Sequence, residues 1–332
     1  MPGPGTHSPD HVPAHALTLD VGGSHVTAAR VSLSQRRVER EARRTLAHTE
    51  GLERLLNGWA EAALEVAGDH SGAFSHVGLA VPSPFDMEGG VSLMQHKFAG
   101  LYGVPLRPLL AKRFTDTPLC GLPILFGNDA DLFALGEWWA GGQERGQGDH
   151  LTDDQSSADR MIGLTLGTGL GSGFVAEGKV VTTGDTVPPG GELWNTPYRG
   201  AVAETFACGA ALPRAWAALG GQGKPAAHDL AALASAGDER ALEAFQVFGS
   251  DLAGLLCPWV KRFGARRVVL GGSVSHAFDL FGPVVQSCLD LHARIECRMQ
   301  VSEYFERAGL LGAAALGIGA PFGDTATRGE AT

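Results

Sequence analysis

Two glycine-rich turns, one near the N-terminus and one at the centre of the chain, constrain the fold of this sequence most. The first follows an apolar run at residues 16–19 and contains Asp20, Gly22, Gly23 and Ser24. The second follows an apolar run at residues 161–166 and begins with Gly167, Thr168 and Gly169. Each turn has β-type sequence on both sides, which predicts a hairpin at the start of each half of the chain.

Both turns could serve hairpin geometry alone, or they could bind phosphate groups. Glycine lets a backbone approach an anion closely and turn successive amide groups towards it. For Gly22 and Gly23 either interpretation stands, since hairpins often have glycine in their turns. The turn that begins at Gly167 favours a ligand, because alternate glycines between two strands weaken a sheet. It holds no lysine and leads into a strand, so it is neither a Walker loop nor a dinucleotide-binding turn.

A third glycine site, Gly271 and Gly272, follows a short apolar run at residues 268–270. It could border a nucleotide base or ribose. It could equally form an ordinary turn from a strand into a helix. The glycine pair alone does not separate these two interpretations.

Two aspartates stand where phosphate chemistry would need them. Phosphoryl transfer requires amide donors and a metal around the phosphates, and a base for the attacking hydroxyl. Asp20 ends the first strand and could hold a hydrated Mg²⁺. Asp129 follows an apolar strand at residues 124–126 and precedes a helix at 130–140. It could accept the proton of the hydroxyl, or Asn128 or Asp129 could simply cap that helix.

The order of the predicted elements indicates an α/β fold with mixed sheets. In the first half, we predict strands at residues 16–19, 26–31, 38–46, 77–81 and 124–126, and helices at 51–66, 106–114 and 130–140. In the second half, we predict strands at 161–166, 174–176 and 268–270, and helices at 201–219, 226–236, 238–263 and 309–317.

The length of 332 residues exceeds the size at which one core keeps growing, so two domains are expected. We expect a disordered leader at residues 1–15. A small α/β domain should cover 16–128, completed by a C-terminal helix at 309–320. A large α/β domain should cover 129–308.

Net charge and cysteine usage exclude some classes of protein. The formal charge of -10 argues against a nucleic-acid partner, which would require a basic face. Residues 1–15 contain no apolar core for a signal peptide, and the stretch at 308–322 is too short to span a bilayer. The five cysteines, scattered and odd in number, suit reduced thiols better than a disulfide framework. The sequence therefore predicts a cytoplasmic protein with no membrane partner.

The polar segment at residues 141–159 carries several aspartates and a histidine, which could suggest a metal loop. No ligand spacing is evident in it. Its composition is typical of a solvated loop, and we predict one there.

Taken together and in order, these segments resemble the ROK family of sugar kinases and repressors, within the actin-like and hexokinase ATPase superfamily. Residues 20–23 look like the family's first phosphate loop, and residues 166–173 look like its second. Residues 81–86 resemble its sugar-side segment P-G-P-V-D, and residues 128–137 match its N-D-A-N…G-E segment. Residues 270–272 look like its adenosine segment. The resemblance spans roughly residues 16–320, and the joint occurrence of the segments is specific although no single segment is.

The resemblance implies a two-domain actin-like (ribonuclease H-like) fold that binds ATP and a sugar in the cleft between its domains. It implies phosphate or adenosine contacts from the three glycine sites, Mg²⁺ held through water by Asp20, and Asp129 as the base that activates a sugar hydroxyl. The residues expected to contact the sugar are Ser83, Asn128, Glu192, Asn195 and Glu204. For Glu192 and Glu204, a plain surface position in a loop or on a helix remains open.

One departure from the family pattern concerns zinc. The family commonly has E-x-G-H followed by C-x-C-G-x-x-G-C-x-E, and its histidine is shared between zinc and sugar. In this chain Trp194 and Asn195 stand at the glycine and histidine positions, and Cys208 is isolated. Structural zinc needs about four ligands, which this region does not supply. We predict no zinc, and a favoured sugar that need not be glucose.

The sequence predicts an ATP- and Mg²⁺-dependent kinase of a hexose or hexose derivative, including N-acylated hexoses. A non-catalytic sugar sensor of the same fold is the alternative, because the segment around Asn195 is altered. A repressor would need a helix-turn-helix, and about fifteen residues before the first strand are too few for one. Retention of Asp20, Asp129 and the glycine turns favours an active enzyme. We expect a homodimer with no nucleic-acid partner.

Overall fold

The computed structural model describes residues 13–68, 73–95, 97–141, 160–292 and 296–318. Its strands are β1 His15–Val21, β2 His25–Ser32, β3 Arg37–Thr45, β4 Phe74–Val81, β5 Phe85–Asp86, β6 Val91–Ser92, β7 Ile124–Asn128, β8 Arg160–Leu166, β9 Leu170–Ala176, β10 Lys179–Val180, β11 Pro197–Tyr198, β12 Ala201–Val202, β13 Arg267–Gly271 and β14 Arg298–Val301. Its α-helices are α1 Leu52–Ala67, α2 Leu106–Arg113, α3 Asp129–Gly141, α4 Ala211–Ala218, α5 Ala227–Ser235, α6 Glu239–Phe263, α7 Phe278–His292 and α8 Glu306–Ala315. None of the helices in these ranges has both the length and the apolar character needed to cross a membrane.

Two of the segments predicted from the sequence fall mostly outside these ranges. The solvated loop predicted at 141–159 lies outside the described residues except for Gly141, which ends α3. The leader predicted at 1–15 lies outside them up to residue 12, and β1 already begins at His15.

Two five-stranded sheets repeat one topology. The first has the order β3-β2-β1-β4-β7, and the second has the order β10-β9-β8-β13-β14. In each sheet the opening hairpin is antiparallel, and the strands added beside its first strand are parallel to it. Central parallel strands bury both faces and are therefore largely apolar, as in β4, where every residue is buried and only Ser75 and His76 are polar. The predicted α/β class with mixed sheets is confirmed.

Helices α3 and α8 join the two halves. Their buried side chains pack with residues of both sheets, among them Ala80 of β4 and Val269 of β13. Each half also has an apolar core of its own. The helices approach backbone to backbone, because a side chain at Gly312 of α8 would overlap the carbonyl oxygen of Leu132 in α3. This helix pair therefore ties the first sheet to the second.

The structure corrects the extent of the second glycine turn. Gly171 and Gly173 lie in strand β9 rather than in a turn. A methyl group at Gly173 would lie 2.8 Å from the carbonyl oxygen of Ala130 in α3. A methyl group at Gly171 would overlap Thr165 Oγ1 in β8 and lie 2.9 Å from Cβ of Ala130. Close packing, and not a ligand, accounts for these two glycines.

The helix predicted at residues 201–219 is wrong over its first half. The segment begins with strand β12 and a 3-10 turn at Ala203–Thr205, and α4 begins only at Ala211. The backbone N–H of Gly209 donates to the carbonyl of Gly167 at 2.8 Å, so this stretch is held by the glycine turn. Tertiary hydrogen bonds override the helix propensity of its alanines. The helix expected after the third glycine site is α7, which begins at Phe278 after a 3-10 turn at Ser273–Ala277. Strand β14 is not among the predicted elements.

Candidate active site

Strand order brings the two predicted aspartates to one edge of the first sheet. Asp20 lies near the end of β1, and Asp129 directly follows β7, with β4 between these two strands. Since β1, β4 and β7 are parallel, their carboxyl ends meet at one edge, where ligands of such sheets usually bind. The two carboxylates interact, because the charge of Asp129 contributes to a raised pKa of Asp20.

Asn128 and Ser83 meet beside Asp129. Asn128 Nδ2 donates a hydrogen bond to Ser83 Oγ at 2.9 Å, across the ends of β7 and β4. Asn128 Oδ1 also accepts from the backbone N–H groups of Ala130 at 2.9 Å and Asp131 at 3.1 Å. Asn128 therefore caps α3, although Asp129 Oδ1 also accepts from the N–H of Ala130 at 2.8 Å. The capping role left open by the sequence is carried mainly by Asn128.

Loss of hydration raises the pKa values of the carboxylates at this edge. Burial raises the pKa of Asp20 to about 7, with further contributions from Asp129 and Glu306. The positive charge of Arg43 opposes that rise in the pKa of Asp20. The side chain of Asp129 is exposed, yet the protein around it removes enough water to raise its pKa as well. An exposed carboxylate with a raised pKa is suited to accept a proton.

Asp131→Asn is expected to stabilise the ligand-free protein more at pH 8 than at pH 5. Burial, with smaller effects of Asp129 and Glu192, raises the pKa of Asp131 from 3.8 to about 7. Folding therefore favours the protonated acid, and the stability that this contributes is complete below pH 3.8 and lost as the pH rises through about 7. The increase in the free energy of unfolding caused by Asp131→Asn should be on the order of 2 kcal/mol larger at pH 8 than at pH 5.

Urea unfolding of Asp131→Asn at the two pH values checks this expectation. Glu239→Gln is the matched control, because Glu239 is also in the first turn of a helix but is exposed. An equal gain at both pH values, or the same pH trend in the control, would contradict the assigned cause.

The donor set at this edge fits a hydrated magnesium ion. Magnesium binds oxygen ligands and usually keeps several waters while one or two carboxylates and substrate phosphates complete its shell. Asp20 offers a carboxylate whose pKa, raised by burial, a nearby cation would lower again. Asp20 therefore stays the predicted holder of magnesium.

The first glycine turn adjoins this carboxylate edge. The N–H of Gly22 donates to the carbonyl of His25 at 2.9 Å, and the N–H of His48 donates to the carbonyl of Gly23 at 2.9 Å. Ser24 is exposed, and its Oγ lies 3.2 Å from His25 Nδ1. Backbone bonds thus fix the turn immediately after Asp20. Its contacts with phosphate stay predictions.

The second glycine turn is fixed by hydrogen bonds from a distant part of the chain. The N–H of Gly167 donates to the carbonyl of Gly169 at 3.0 Å and closes the turn, with Thr168 exposed at its tip. Glu204 Oε2 accepts from the N–H of Leu170 at 3.0 Å. A methyl group at Gly169 would lie 2.5 Å from that same oxygen, so Glu204 lies against the turn. Its predicted contact with a sugar stays a prediction.

The third glycine site lies beside the second. β13 and β8 are neighbouring parallel strands, so Gly271 and Gly272 end at the same edge as Leu166. Gly272 has a φ of 82°, and a methyl group there would lie 2.5 Å from the carbonyl oxygen of Leu166. A side chain at Gly271 would meet the ring of Phe133 at 2.5 Å. Packing accounts for both glycines, and their contact with a nucleotide stays a prediction.

Glu192 connects the second half to Asp129. Its charge contributes to the raised pKa values of Asp129 and Asp131. Its Oε2 accepts a hydrogen bond from Trp194 Nε1 at 3.0 Å. Asn195 follows Trp194 and is exposed. Glu192 is therefore brought to the aspartate edge.

Lys97 is a candidate site residue that the sequence did not reveal. Its positive charge acts on Asp129 and opposes the rise in the pKa of that carboxyl. The next residue, Phe98, is buried, and its backbone has a φ of 51°, which residues other than glycine seldom adopt. Its ring packs edge-on against Trp59 with centroids 6.2 Å apart. No sequence motif marks Lys97, because its effect on Asp129 depends on how the segment around Phe98 is folded.

Zinc is expected to be absent from the purified protein. Among the residues that the structure describes, no group of three or more His, Cys, Asp or Glu side chains could hold a metal ion. Asn195 is exposed and Cys208 is buried. Elemental analysis should find below about 0.1 zinc per chain, because a structural site needs about four ligands. One zinc per chain that survives dialysis against a weak chelator would contradict this prediction.

Comparison with known proteins identifies the family of this chain. The ROK family model matches residues 16–319. A glucokinase of Thermotoga maritima is 29% identical over 90% of this chain and 96% of its own length. An N-acetylmannosamine kinase of Citrobacter koseri is 30% identical over 91% of this chain and 98% of its own length. The structure of the ROK hexokinase from Thermus thermophilus, 26% identical, matches 91% of this chain and 97% of that chain with a TM-score of 0.70. The fold is the actin-like ATPase fold, and the chain belongs to the ROK family.

Proposed function

We propose that this chain is a sugar kinase that transfers the γ-phosphoryl group of ATP to a hydroxyl of a hexose or hexose derivative. Family membership and the two related kinases, of glucose and of N-acetylmannosamine, support this function. The observation that carries it is the assembly at one sheet edge of an exposed Asp129, the Asn128–Ser83 pair and Asp20. Phosphoryl transfer needs few other groups, because positioning and charge do most of the work.

Asp129 is the base of the proposed reaction. It accepts the proton of the sugar hydroxyl while the hydroxyl oxygen forms its bond to the γ-phosphorus. The bond from that phosphorus to the bridging oxygen of ADP breaks, and ADP leaves with the electron pair. The surrounding protein removes water from Asp129 and so raises its pKa, which brings its proton affinity closer to what a base needs near neutral pH. Asn128 and Ser83 would hold the sugar beside this carboxylate.

The remaining residues bind the two substrates. Magnesium would neutralise phosphate charge, and Asp20 would hold it through water. Backbone amides of the turns at Gly22 and Gly167 would face the phosphates, and the site at Gly271 would border the adenosine. Glu192, Asn195 and Glu204 would contact the sugar from the second half of the chain.

The proposed architecture places the substrates between two domains. The small domain covers 16–128 together with the C-terminal helix at 309–320, and the large domain covers 129–308. The two sheets of like topology support this division. Closure of the domains would exclude water, so that the sugar and not water receives the phosphoryl group.

A coupled ADP-release assay with Mg-ATP tests the proposal. The panel consists of hexoses, amino sugars and N-acyl sugars, each beside a sugar-free blank. We expect at least one sugar to raise ADP release well above the blank. Binding of ATP or sugar in a thermal-shift assay, without sugar-dependent ADP release from any member, would favour a non-catalytic sensor instead.

The proposal includes a cytoplasmic homodimer with no nucleic-acid partner. The formal charge of -10 supports the absence of a nucleic-acid partner, and the five free cysteines support a cytoplasmic location. Light scattering coupled to size-exclusion chromatography measures the assembly. A single species with the mass of one chain, 34.6 kDa, would contradict the homodimer.

A further inference from the structure

Trp194 is an exposed tryptophan on a rigid segment. The residue is 42% exposed. The buried Ser172 fixes the backbone before it: Ser172 Oγ donates to the carbonyl of Gly191 at 2.7 Å and accepts from the N–H of Leu193 at 2.9 Å. Single exposed apolar residues are common on protein surfaces, so exposure alone indicates nothing.

Hydrogen bonds distinguish Trp194 from an ordinary surface residue. Its Nε1 donates to Glu192 Oε2 at 3.0 Å, and its carbonyl accepts from the N–H of Glu204 at 3.0 Å. The charge of Glu192 acts on Asp129, and Glu204 holds the N–H of Leu170 at the end of the glycine turn. Trp194 therefore links the group beside the base to the group beside the turn.

The chemistry of indole limits what Trp194 can offer to a ligand. An indole has a single hydrogen-bond donor and no acceptor, and Glu192 already takes that donor. What remains is an exposed aromatic face, which packs well against apolar C–H groups. A pyranose ring carries such a C–H face, and so does the methyl of an N-acyl group. Both are within the substrate class proposed above.

We propose that Trp194 contacts the sugar and determines specificity, with its ring face against C–H groups of the substrate and its N–H holding Glu192 in place. This inference rests on the proposed function and deepens it. The preferred substrates are sugars that present a continuous apolar surface next to the phosphorylated region, either one face of the ring or an acyl methyl.

Two variants separate the contribution of the aromatic face of Trp194 from that of its N–H donor. Trp194→Phe keeps an aromatic face and removes the donor to Glu192, whereas Trp194→Ala removes both. We expect Trp194→Ala to raise the KM of the sugar about tenfold or more and to leave the KM of ATP nearly unchanged. Trp194→Phe should raise the sugar KM less and lower kcat, because Glu192 loses its partner.

Intrinsic fluorescence gives a readout that a merely structural role would not change. The chain has six tryptophans, and the matched control is Trp259→Phe, whose indole is half-buried on α6 under Arg262. Sugar added without ATP should shift the emission of the wild type and of Trp259→Phe. The shift should disappear in both Trp194 variants.

Glucose and mannose, each compared with its N-acetylated 2-amino counterpart, distinguish the two sources of C–H groups. An equal rise in the sugar KM of Trp194→Ala for plain and acylated sugars assigns the contact to the ring face. A larger rise in KM for the acylated sugars assigns the contact to the acyl methyl.

Two results would overturn the inference, and they are distinguishable. Sugar-dependent turnover in the wild type, with the sugar KM and the emission shift unchanged in Trp194→Ala, overturns the role of Trp194 alone. A wild type that shows neither turnover nor an emission shift with any sugar overturns the proposed function and the inference together. A wild type that only binds, with a shift that Trp194→Ala abolishes, supports the contact in a sensor.

Discussion

Asp129→Asn is expected to lower kcat by about 10²–10⁴-fold, because general-base assistance typically contributes that much. Asparagine keeps the size of the side chain but cannot take the proton of the attacking hydroxyl. The carboxamide oxygen can still accept from the N–H of Ala130, as Asp129 Oδ1 does at 2.8 Å. Asn128 continues to cap α3 through its bonds to Ala130 and Asp131. The start of the helix should therefore be retained, and the loss should lie in the chemical step.

Steady-state kinetics with saturating Mg-ATP and the best sugar of the panel measure this loss. Asp279→Asn is the matched control, since Asp279 is likewise an exposed aspartate in the first turn of a helix, but that helix is α7 and not α3. It should keep the wild-type kcat. Sugar-induced thermal shifts should persist in Asp129→Asn. A kcat within about threefold of the wild type would remove Asp129 from the role of base.

Gly312→Ala is expected to destabilise the protein by about 3 kcal/mol or more. The methyl group would overlap the carbonyl oxygen of Leu132, and that atom belongs to the backbone of α3 and cannot rotate away. The helices would have to separate, although α3 and α8 together bury side chains from both sheets. Because α3 begins at Asp129, such a separation would also displace the proposed base.

Gly309→Ala is the matched control on the same helix. A methyl group there would lie 3.8 Å from the carboxylate of Asp20, which is an ordinary contact. Alanine is the better helix former by about 1 kcal/mol, so this variant should be as stable as the wild type or more stable. Chemical unfolding of both variants measures the difference. Equal stability of the two would contradict the close approach of α3 and α8.

The elements that could be predicted from the sequence are those whose cause is local. The hairpins at residues 15–32 and 160–176 follow from apolar strands on either side of short glycine turns. The meeting of Asp20 with Asp129 follows because each lies at the carboxyl end of an apolar strand. A strand end can be recognised from a few residues, and parallel pairing then brings such ends together.

The features that could not be predicted have causes far away in the chain. Gly173 is small because α3 crosses β9. The alanines after residue 201 do not continue a helix, because Gly209 and Glu204 bond to the glycine turn instead. An exception is the hydrogen bond from Trp194 to Glu192, which is local in sequence but depends on side-chain orientation, and neither composition nor spacing predicts that. The effect of the Lys97 charge on the pKa of Asp129 likewise depends on the folded arrangement of the chain.

Direct observation of the transferred phosphoryl group tests the central claim. Wild-type protein, Mg-ATP and the best sugar of the panel are followed by ³¹P NMR. The proposed function predicts one sugar phosphate ester formed for each ADP, with little inorganic phosphate, and no ester with Asp129→Asn over the same time. ADP accompanied by inorganic phosphate alone, or an ester formed equally fast by Asp129→Asn, would contradict phosphoryl transfer to a sugar with Asp129 as its base.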